Sequence, residues 1–564
     1  MAKAKKKHKY IFVIGGVMSG VGKGITTASI GAILQAKGFR VNLVKVDPYL
    51  NVDAGTMNPT EHGEVFVLKS GLETDQDMGN YERFLNRDLS PEDYMTSGLV
   101  YRTVLDKERA LEYKGKFVEA IPHVTDEIRR RYMHSAQAAG SDITVVEIGG
   151  TVGDYQNVLF IEAARTLHLK NPDDVIFILV SYLPVPHTIG EMKTKPTQNA
   201  VRQLNSYGVQ PHIIVARGPV SLDEKRKEKL AIWCNVEANR VISAPDIESI
   251  YEVPVNFEKD DLSGILLETL KLKTRVKRDG LTVWKKFVES MKSATDEVKI
   301  AVIGKYFDTG DFVLSDAYIS VIEALKVSAY KIGKKPKLTW VNAKDFEKDT
   351  ASVSMLSEFD GILVPGGFGE TGIEGKLSAI RFAREKKIPY FGLCYGMQLA
   401  VVEYARNVVG LTDANTTEIN KDTPHPVIDI MPEQKKHMAE GKFGATMRLG
   451  VYSCVLKEGT LAYQSYVKSE KLKVNGRASV EERHRHRYEV NPEYIGQLEK
   501  AGLVFSGTSP DGVLMEIAEL PRKVHPFFLG TQFHPELQAR PLSPHPLFTA
   551  FLKAAADRHE KGSK

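Results

Sequence analysis

Short apolar runs separated by longer amphipathic stretches organise this chain. YIFVIGG, VNLVKVD, DITVVEIGG, DVIFILVSYL and PHIIVARG punctuate its first half. Runs this apolar predict strands buried on both faces, as in a parallel sheet. TTASIGAILQAKG and NVLFIEAARTLHLK lie between them with helical spacing. The alternation predicts a doubly wound α/β sheet. Over 271–297 the text turns basic and less regular, KLKTRVKRDGLTVWKKFVESMKSATDE, and a new alternation starts with VKIAVIGKY, FDGILVPGG and IPYFGLC. The expected division is one domain over 1–272, a linker over 273–297 and a second α/β domain over 298–564. The closing HEKGSK reads as frayed.

Length changes the picture only by requiring more than one core, since 564 residues exceed what a single core holds. Hydrophobic content of 42% and charged content of 26% are ordinary for a soluble protein. A net charge of +5 over this length admits small polyanions and gives no reason to expect nucleic acid. Cys234, Cys394 and Cys454 are too far apart for a disulfide framework or a metal cluster, which favours a reducing, cytoplasmic compartment. The start, MAKAKKKHKYIFVIGG, has the order of a secretory signal, but its apolar run is short and broken by glycines. It reads better as a solvated basic tail before a strand. No stretch reaches the roughly 18 apolar residues of a membrane span.

Two stretches carry chemistry. YIFVIGGVMSGVGKGITTASIG reads as strand, glycine-rich turn and helix, in which backbone amides and Lys23 would cradle phosphate oxygens. It departs from the strict phosphate-loop pattern twice: Val17 stands where glycine is expected, and Gly24 where a magnesium-binding hydroxyl is expected. Magnesium would then need carboxylates, for which Asp77 and Glu147 are the candidates, Glu147 because it ends an apolar strand run. GEMKTKPTQNAVRQL offers many donors in a turn before a helix and suits a triphosphate, or is a solvated basic loop.

The second stretch is FGLCYGMQL. Cys394 falls in G-x-C-x-G between a predicted strand and a predicted helix, where small flanking residues permit an elbow that presents a nucleophile. A lone cysteine is more often a core residue. FFLGTQFHPEL supplies a base in His534 with Glu536 to orient it, and LVPGGFG supplies amides at Gly366 and Gly367 for an oxyanion. This company favours a nucleophile. Cys234 and Cys454 have no such neighbours and read as packing residues. His484 and His486 in EERHRHRYEVN have one-face strand spacing but no ligand cluster, and read as a polar strand face.

GGVMSGVGKGI, KVDPYLNVDAGTMNPTEHGEVFV, GNYERFLN, VEIGGTVGD, GEMKTKPTQ, PGGFG, GLCYGMQLA, ERHRHRYEVN and QFHPE together resemble the CTP synthase family over nearly the whole chain. The second-half motifs are shared by class I glutamine amidotransferases; KTKPTQ and GTMNPTEHGEVFV are specific. The resemblance implies a P-loop, dethiobiotin-synthetase-like parallel sheet as the amidoligase (synthetase) domain, and a class I glutaminase α/β domain. It implies ATP-dependent amination of UTP to CTP, with Mg2+ and with ammonia from L-glutamine. It implies further CTP as feedback inhibitor, GTP as allosteric activator, and a homotetramer that in some members builds filaments.

Carried over by motif, Cys394, His534 and Glu536 are catalytic. Gly20, Val21, Gly22, Lys23, Gly24, Ile25, Asp77 and Ile247 meet ATP, and Asp77 and Glu147 hold the metal. Ser19, Asp154, Tyr155, Gln156, Lys193, Thr194, Lys195, Pro196, Thr197, Gln198 and Lys229 meet UTP or CTP. Gly367, Tyr395, Gly396, Met397, Gln398, Glu418 and Arg487 meet glutamine, and His62 lines the ammonia path. Four positions depart from the family. Thr371 replaces an arginine associated with GTP activation, and Glu119 a glutamine near the UTP phosphates. Tyr155 and Gln156 alter the region linked to CTP inhibition, and Tyr395 replaces a leucine beside the nucleophile. The alternatives are a cobyric-acid-synthase-like amidoligase, against which KTKPTQ argues, and a nucleotide-sensing scaffold, against which the intact thiol set argues.

Overall fold

The structure is a computed structural model that describes residues 8–186, 190–276, 280–304, 315–367, 369, 371–439, 444–467, 469 and 471–562. The basic run ahead of His8 lies outside them. The chain forms two compact units, one of residues 1–54 with 77–288, the other of residues 55–76 with 289–564.

The first unit is built on a seven-stranded sheet. Its order is Tyr94–Thr96, Val41–Asp47, Ile143–Ile148, Lys9–Gly16, Val175–Tyr182, Ile213–Gly218 and Val241–Pro245. Every pairing is parallel. All five apolar runs read from the sequence are strands here. Lys9–Gly16 and Val41–Asp47 are buried at every position, as strands covered on both faces must be. The two edge strands have only three and five residues and carry too little pattern to stand out in the sequence. The first strand is central, between Ile143–Ile148 and Val175–Tyr182, so the chain reverses its direction of winding there. In such sheets, ligand crevices open at the carboxyl ends of the strands flanking the reversal.

The second unit holds a ten-stranded mixed sheet. Lys335–Asn342, Glu297–Gly304, Gly361–Val364, Tyr390–Leu393 and Phe528–Thr531 run parallel. Met515–Glu519, Val504–Thr508, Arg448–Leu456, Arg477–His486 and Lys473–Asn475 extend it antiparallel. Arg477–His486 alternates buried with less buried positions along much of its length, a weaker sequence signal than a continuous apolar run. A small hairpin, Val65–Val67 with Glu73–Asp75, belongs to this unit. Val67 O accepts from Arg483 Nη1 at 3.0 Å, and Glu73 Oε1 from Arg485 Nε at 2.9 Å.

Two expectations need correction. The 273–297 stretch is not all irregular, because Thr282–Ser293 is a helix. Its Trp284 is buried with ring centroids 5.2 Å from Phe84 and 6.0 Å from Tyr251. The terminal helix Pro546–Gly562 extends through HEKG rather than fraying before it. His559 Nδ1 lies 3.0 Å from Asp360 Oδ1, and Lys334 Nζ 3.2 Å from Glu560 Oε1. Leu547, Phe548, Phe551, Leu552 and Ala555 anchor the helix in the core. No helix among the described residues is long and apolar enough to cross a membrane.

Because Trp284 fills an aromatic cluster, Trp284→Ala should destabilise the first unit by about 3–5 kcal/mol. Urea unfolding followed by circular dichroism would register it; an unchanged midpoint would mean that this helix does not pack on the unit.

Candidate active site

The strand Tyr390–Leu393 runs straight into the helix Tyr395–Tyr404, with Cys394 alone at the corner. Its backbone has φ 48° and ψ −98°, a conformation that costs on the order of 1–3 kcal/mol in a non-glycine residue. The surroundings hold it there. Cys394 N–H donates to Thr531 O at 2.6 Å, and Tyr390 Oη donates to Gly396 O at 2.8 Å. A Cβ on Gly392 would lie 2.6 Å from Tyr390 Oη, and one on Gly396 would collide with Val364 O. The glycines of G-x-C-x-G are therefore demanded by close backbone approach.

The neighbouring strand Phe528–Thr531 leads to His534, the candidate base. His534 Nδ1 is 2.7 Å from Glu536 Oε1, and His534 N–H is fixed to Arg483 O at 2.8 Å. Burial alone would lower the imidazole pKa. The carboxylate of Glu536 and the sulfur of Cys394 outweigh it and hold the pKa well above the ordinary histidine range. A Cβ on Gly366 would stand 3.0 Å from His534 Cε1 and 3.9 Å from Cys394 Cβ, so the PGG turn passes directly over thiol and imidazole. A cavity of about 1060 Å³ opens on Cys394, His534 and Gly367, with Gln398, Glu418 and Arg487 in its wall.

In the first unit, Val17, Gly20 and Gly22 take positive φ of 79°, 69° and 87° between the central strand and the helix Lys23–Ala36. Val17 adopts the left-handed backbone that a glycine would take more cheaply. Gly24 is as necessary as the sequence departure is unusual, because a Cβ there would strike the Asp77 carboxylate. Lys23 is buried, with its stem and ammonium crossing Gly15. Burial lowers its pKa against the pull of Glu147 and Asp77.

Asp77 and Glu147 converge on a residue the sequence reading passed over. Lys45 Nζ is 2.5 Å from Asp77 Oδ2, 2.9 Å from Glu147 Oε1 and 3.6 Å from Asp47 Oδ1. Tyr81 Oη donates to Glu147 Oε2. Burial pushes both carboxyls up. Lys45 and Lys23 reverse this for Asp77, which ends below the usual range, whereas Glu147 ends above it because repulsion from Asp77 adds to burial. The signal in the sequence was a lysine inside the apolar run VNLVKVD, a position where an unpaired charge would be costly.

Comparison with known proteins matches nearly the whole chain. Residues 9–272 match the family model for the CTP synthase N-terminus, and residues 313–554 that for glutamine amidotransferase class-I. The CTP synthase of Methanococcoides burtonii is 48% identical over 547 residues, 97% of this chain and 98% of that one. That of Pyrococcus furiosus is 49% identical over 551 residues, 97% of this chain and 98% of that one. Among solved structures, the Trypanosoma brucei CTPS glutaminase domain with bound acivicin aligns at 37% identity and a TM-score of 0.40. It covers 46% of this chain and 94% of that one.

The chain belongs to the CTP synthase family.

Of the residues that the family motifs single out for glutamine, Gly367, Gln398, Glu418 and Arg487 share one cavity with the thiol. Tyr395 and Met397 are buried in the core, Met397 against Gly530. Glu418 Oε1 accepts from Gly369 N at 2.9 Å, and Arg487 Nη1 donates to Gln434 Oε1 at 2.5 Å. His62 is largely exposed on the short helix Pro59–His62 and lies outside the cavity wall, which instead takes in Gly55 to Pro59 and Glu64. His484 and His486 are buried, His484 bonded to Glu516 Oε2 at 2.7 Å, so this polar strand face points into the core.

Of the nucleotide motifs, Ser19, Asp154, Tyr155 and Gln156 are exposed, as are Lys195 and Lys229, and Ile247 is half-buried. Thr194 precedes the helix Lys195–Ser206 and Pro196 opens it. Thr197 bonds Ser181 Oγ at 2.8 Å and Gln198 bonds Thr194 Oγ1 at 3.1 Å, so these two brace the turn. Lys193 Nζ is 2.7 Å from Glu191, whose carboxyl is held below its usual range by Lys193 and then by Arg226 and Lys229. Three cations thus gather around one exposed acid.

Glu536→Gln removes the larger of the two charges that oppose burial at His534. The titration midpoint of its imidazole should therefore fall, which histidine-labelled NMR reads directly. A midpoint that stays put would mean that Glu536 does not hold the proton.

Proposed function

We propose that this chain converts UTP to CTP with nitrogen from glutamine, the second unit releasing ammonia and the first using it. Cys394 beside a histidine–glutamate pair, opening on the cavity that Glu418 and Arg487 share, carries the reading. The sulfur attacks the carboxamide carbon of glutamine. The C–N bond breaks, the imidazolium proton of His534 leaves with the nitrogen as ammonia, and a glutamyl thioester remains for water to cleave. Gly366 and Gly367 supply amides to the developing oxyanion. Arg487 pairs the α-carboxylate, and Glu418 faces the amino group.

In the first unit, the amides of residues 20–25 and the ammonium of Lys23 hold the ATP phosphates. The glycine-rich turn with positive φ at Val17, Gly20 and Gly22, leading into a helix that starts at Lys23, supports this. ATP is a substrate of the family. Transfer of its terminal phosphoryl to the uracil O4 turns that oxygen into a leaving group, which ammonia displaces at C4. Asp77 and Glu147 are hard oxygen donors suited to Mg2+. No cluster of three or more His, Cys, Asp or Glu side chains forms a metal site among the described residues. When bound, Mg2+ would offset phosphate charge. Lys193, Lys195 and Lys229 provide cations for the UTP triphosphate.

CTP inhibition at the exposed Asp154, Tyr155 and Gln156 belongs to the same proposal. GTP activation is the family property that Thr371 argues against, because an exposed threonine offers a triphosphate no charge. Tetramer formation is supported by Leu105, Leu111, Phe117, Ile121 and Met133, large apolar side chains exposed within one short segment.

Cys394→Ala should lower glutamine-supported CTP formation by roughly 10⁴-fold while ammonia still supports it. Loss of both activities in a folded variant would contradict the division of labour. Lys23→Ala should abolish CTP formation from either nitrogen source and leave Cys394 alkylation unchanged. CTP formation at the normal rate in Lys23→Ala would remove the phosphate role of the loop.

A further inference from the structure

Cys394 Sγ has a second polar neighbour besides the histidine. Gln532 is fully buried, two residues before His534, with its backbone N–H fixed to Glu516 O at 2.8 Å. Its Nε2 stands 3.6 Å from Cys394 Sγ. The neighbours decide which end of this amide faces the sulfur. Gln398 Nε2 lies 2.9 Å from Tyr488 O, a carbonyl that only accepts, so the amino end of Gln398 must be there. The same Nε2 lies 3.2 Å from Gln532 Oε1, so Gln532 must turn its oxygen to Gln398 and its amino group to the sulfur. On the other side, Arg485 O at 4.0 Å accepts only from a protonated thiol. Ionisation therefore exchanges a partner that can only accept for one that can donate.

We infer that Gln532 is a catalytic hydrogen-bond donor to the Cys394 sulfur, and that Gln398 is a positioning residue that orients it. Both N–H bonds of Gln398 are directed at protein oxygens, so its side chain serves the nucleophile through Gln532, while only its Oε1 remains for a substrate. A hydrogen bond to an anion is about twice as strong as one between neutral groups, so the donor favours the thiolate. The inference rests on the glutaminase reading given above.

The test is the pH dependence of iodoacetamide alkylation on the full-length protein, with Cys394→Ala as the blank for the other two cysteines. Gln532→Met keeps the length and loses the donor. Its profile should move up by about one pH unit, with alkylation at neutral pH about tenfold slower. Gln532→Glu, which faces the sulfur with a carboxylate, should move it further. Gln398→Met should move it part of the way. The kcat for glutamine should fall in parallel with little change in KM. An unchanged profile in a Gln532→Met protein that melts like the parent overturns the inference. Should that variant not fold, an unchanged profile in Gln398→Met overturns it equally. Glutamine hydrolysis that persists in Cys394→Ala would instead remove the glutaminase reading, which an unchanged Gln532→Met profile leaves standing.

Discussion

Parallel pairing of Tyr390–Leu393 with Phe528–Thr531 is the contact on which the thiol site depends. Leu393 faces Thr531 in register, so both strands end at the same level of the sheet. The chain leaves one end as Cys394 and the other as the segment bearing Gln532, His534 and Glu536. The hydrogen bond from Cys394 N to Thr531 O ties the two exits together. A shift of this pairing by one residue would turn the side chains to the opposite face and separate sulfur from imidazole. The strained backbone at Cys394 persists because carbonyl and tyrosine contacts on both sides leave its neighbours no other path.

The first unit solves a different problem, the burial of charge. Lys23, Lys45, Asp47, Asp77 and Glu147 are brought together where the central strands end. Uncompensated, any one of them would cost several kcal/mol. Lys45 bridges the carboxylates, and Tyr81 takes a remaining lone pair of Glu147.

Departures from the family pattern are absorbed locally. Tyr395, next to the nucleophile, turns its ring into the core, where Lys376 Nζ stands 5.3 Å from the ring centroid. Its hydroxyl donates to Gly369 O at 3.1 Å. The bulk beside the thiol is thus directed away from the cavity and joined to the loop that bounds it. Val17 pays a modest backbone cost in a turn otherwise built from glycines. Glu119 is exposed and accordingly sheds no charge into a core.

Local pattern determined much by itself. Continuous apolar runs marked the buried parallel strands, because only a strand covered on both faces tolerates so many consecutive hydrophobic residues. Glycines around Cys394 and before Lys23 marked both elbows, because close backbone approach admits nothing larger. Family motifs singled out candidate residues for glutamine and nucleotide. The short edge strands of the first sheet were not legible, because pairing partners rather than local sequence stabilise them, whereas the alternation around His484 and His486 did mark a strand. The helix of Trp284 was hidden in a basic stretch whose buried face only the aromatic cluster reveals. Lys45, Gln532 and the hairpin beside the thiol cavity depend on distant partners. Which acid a buried lysine meets, and which way an amide turns, is decided by atoms that chain connectivity does not bring together, and tertiary packing does.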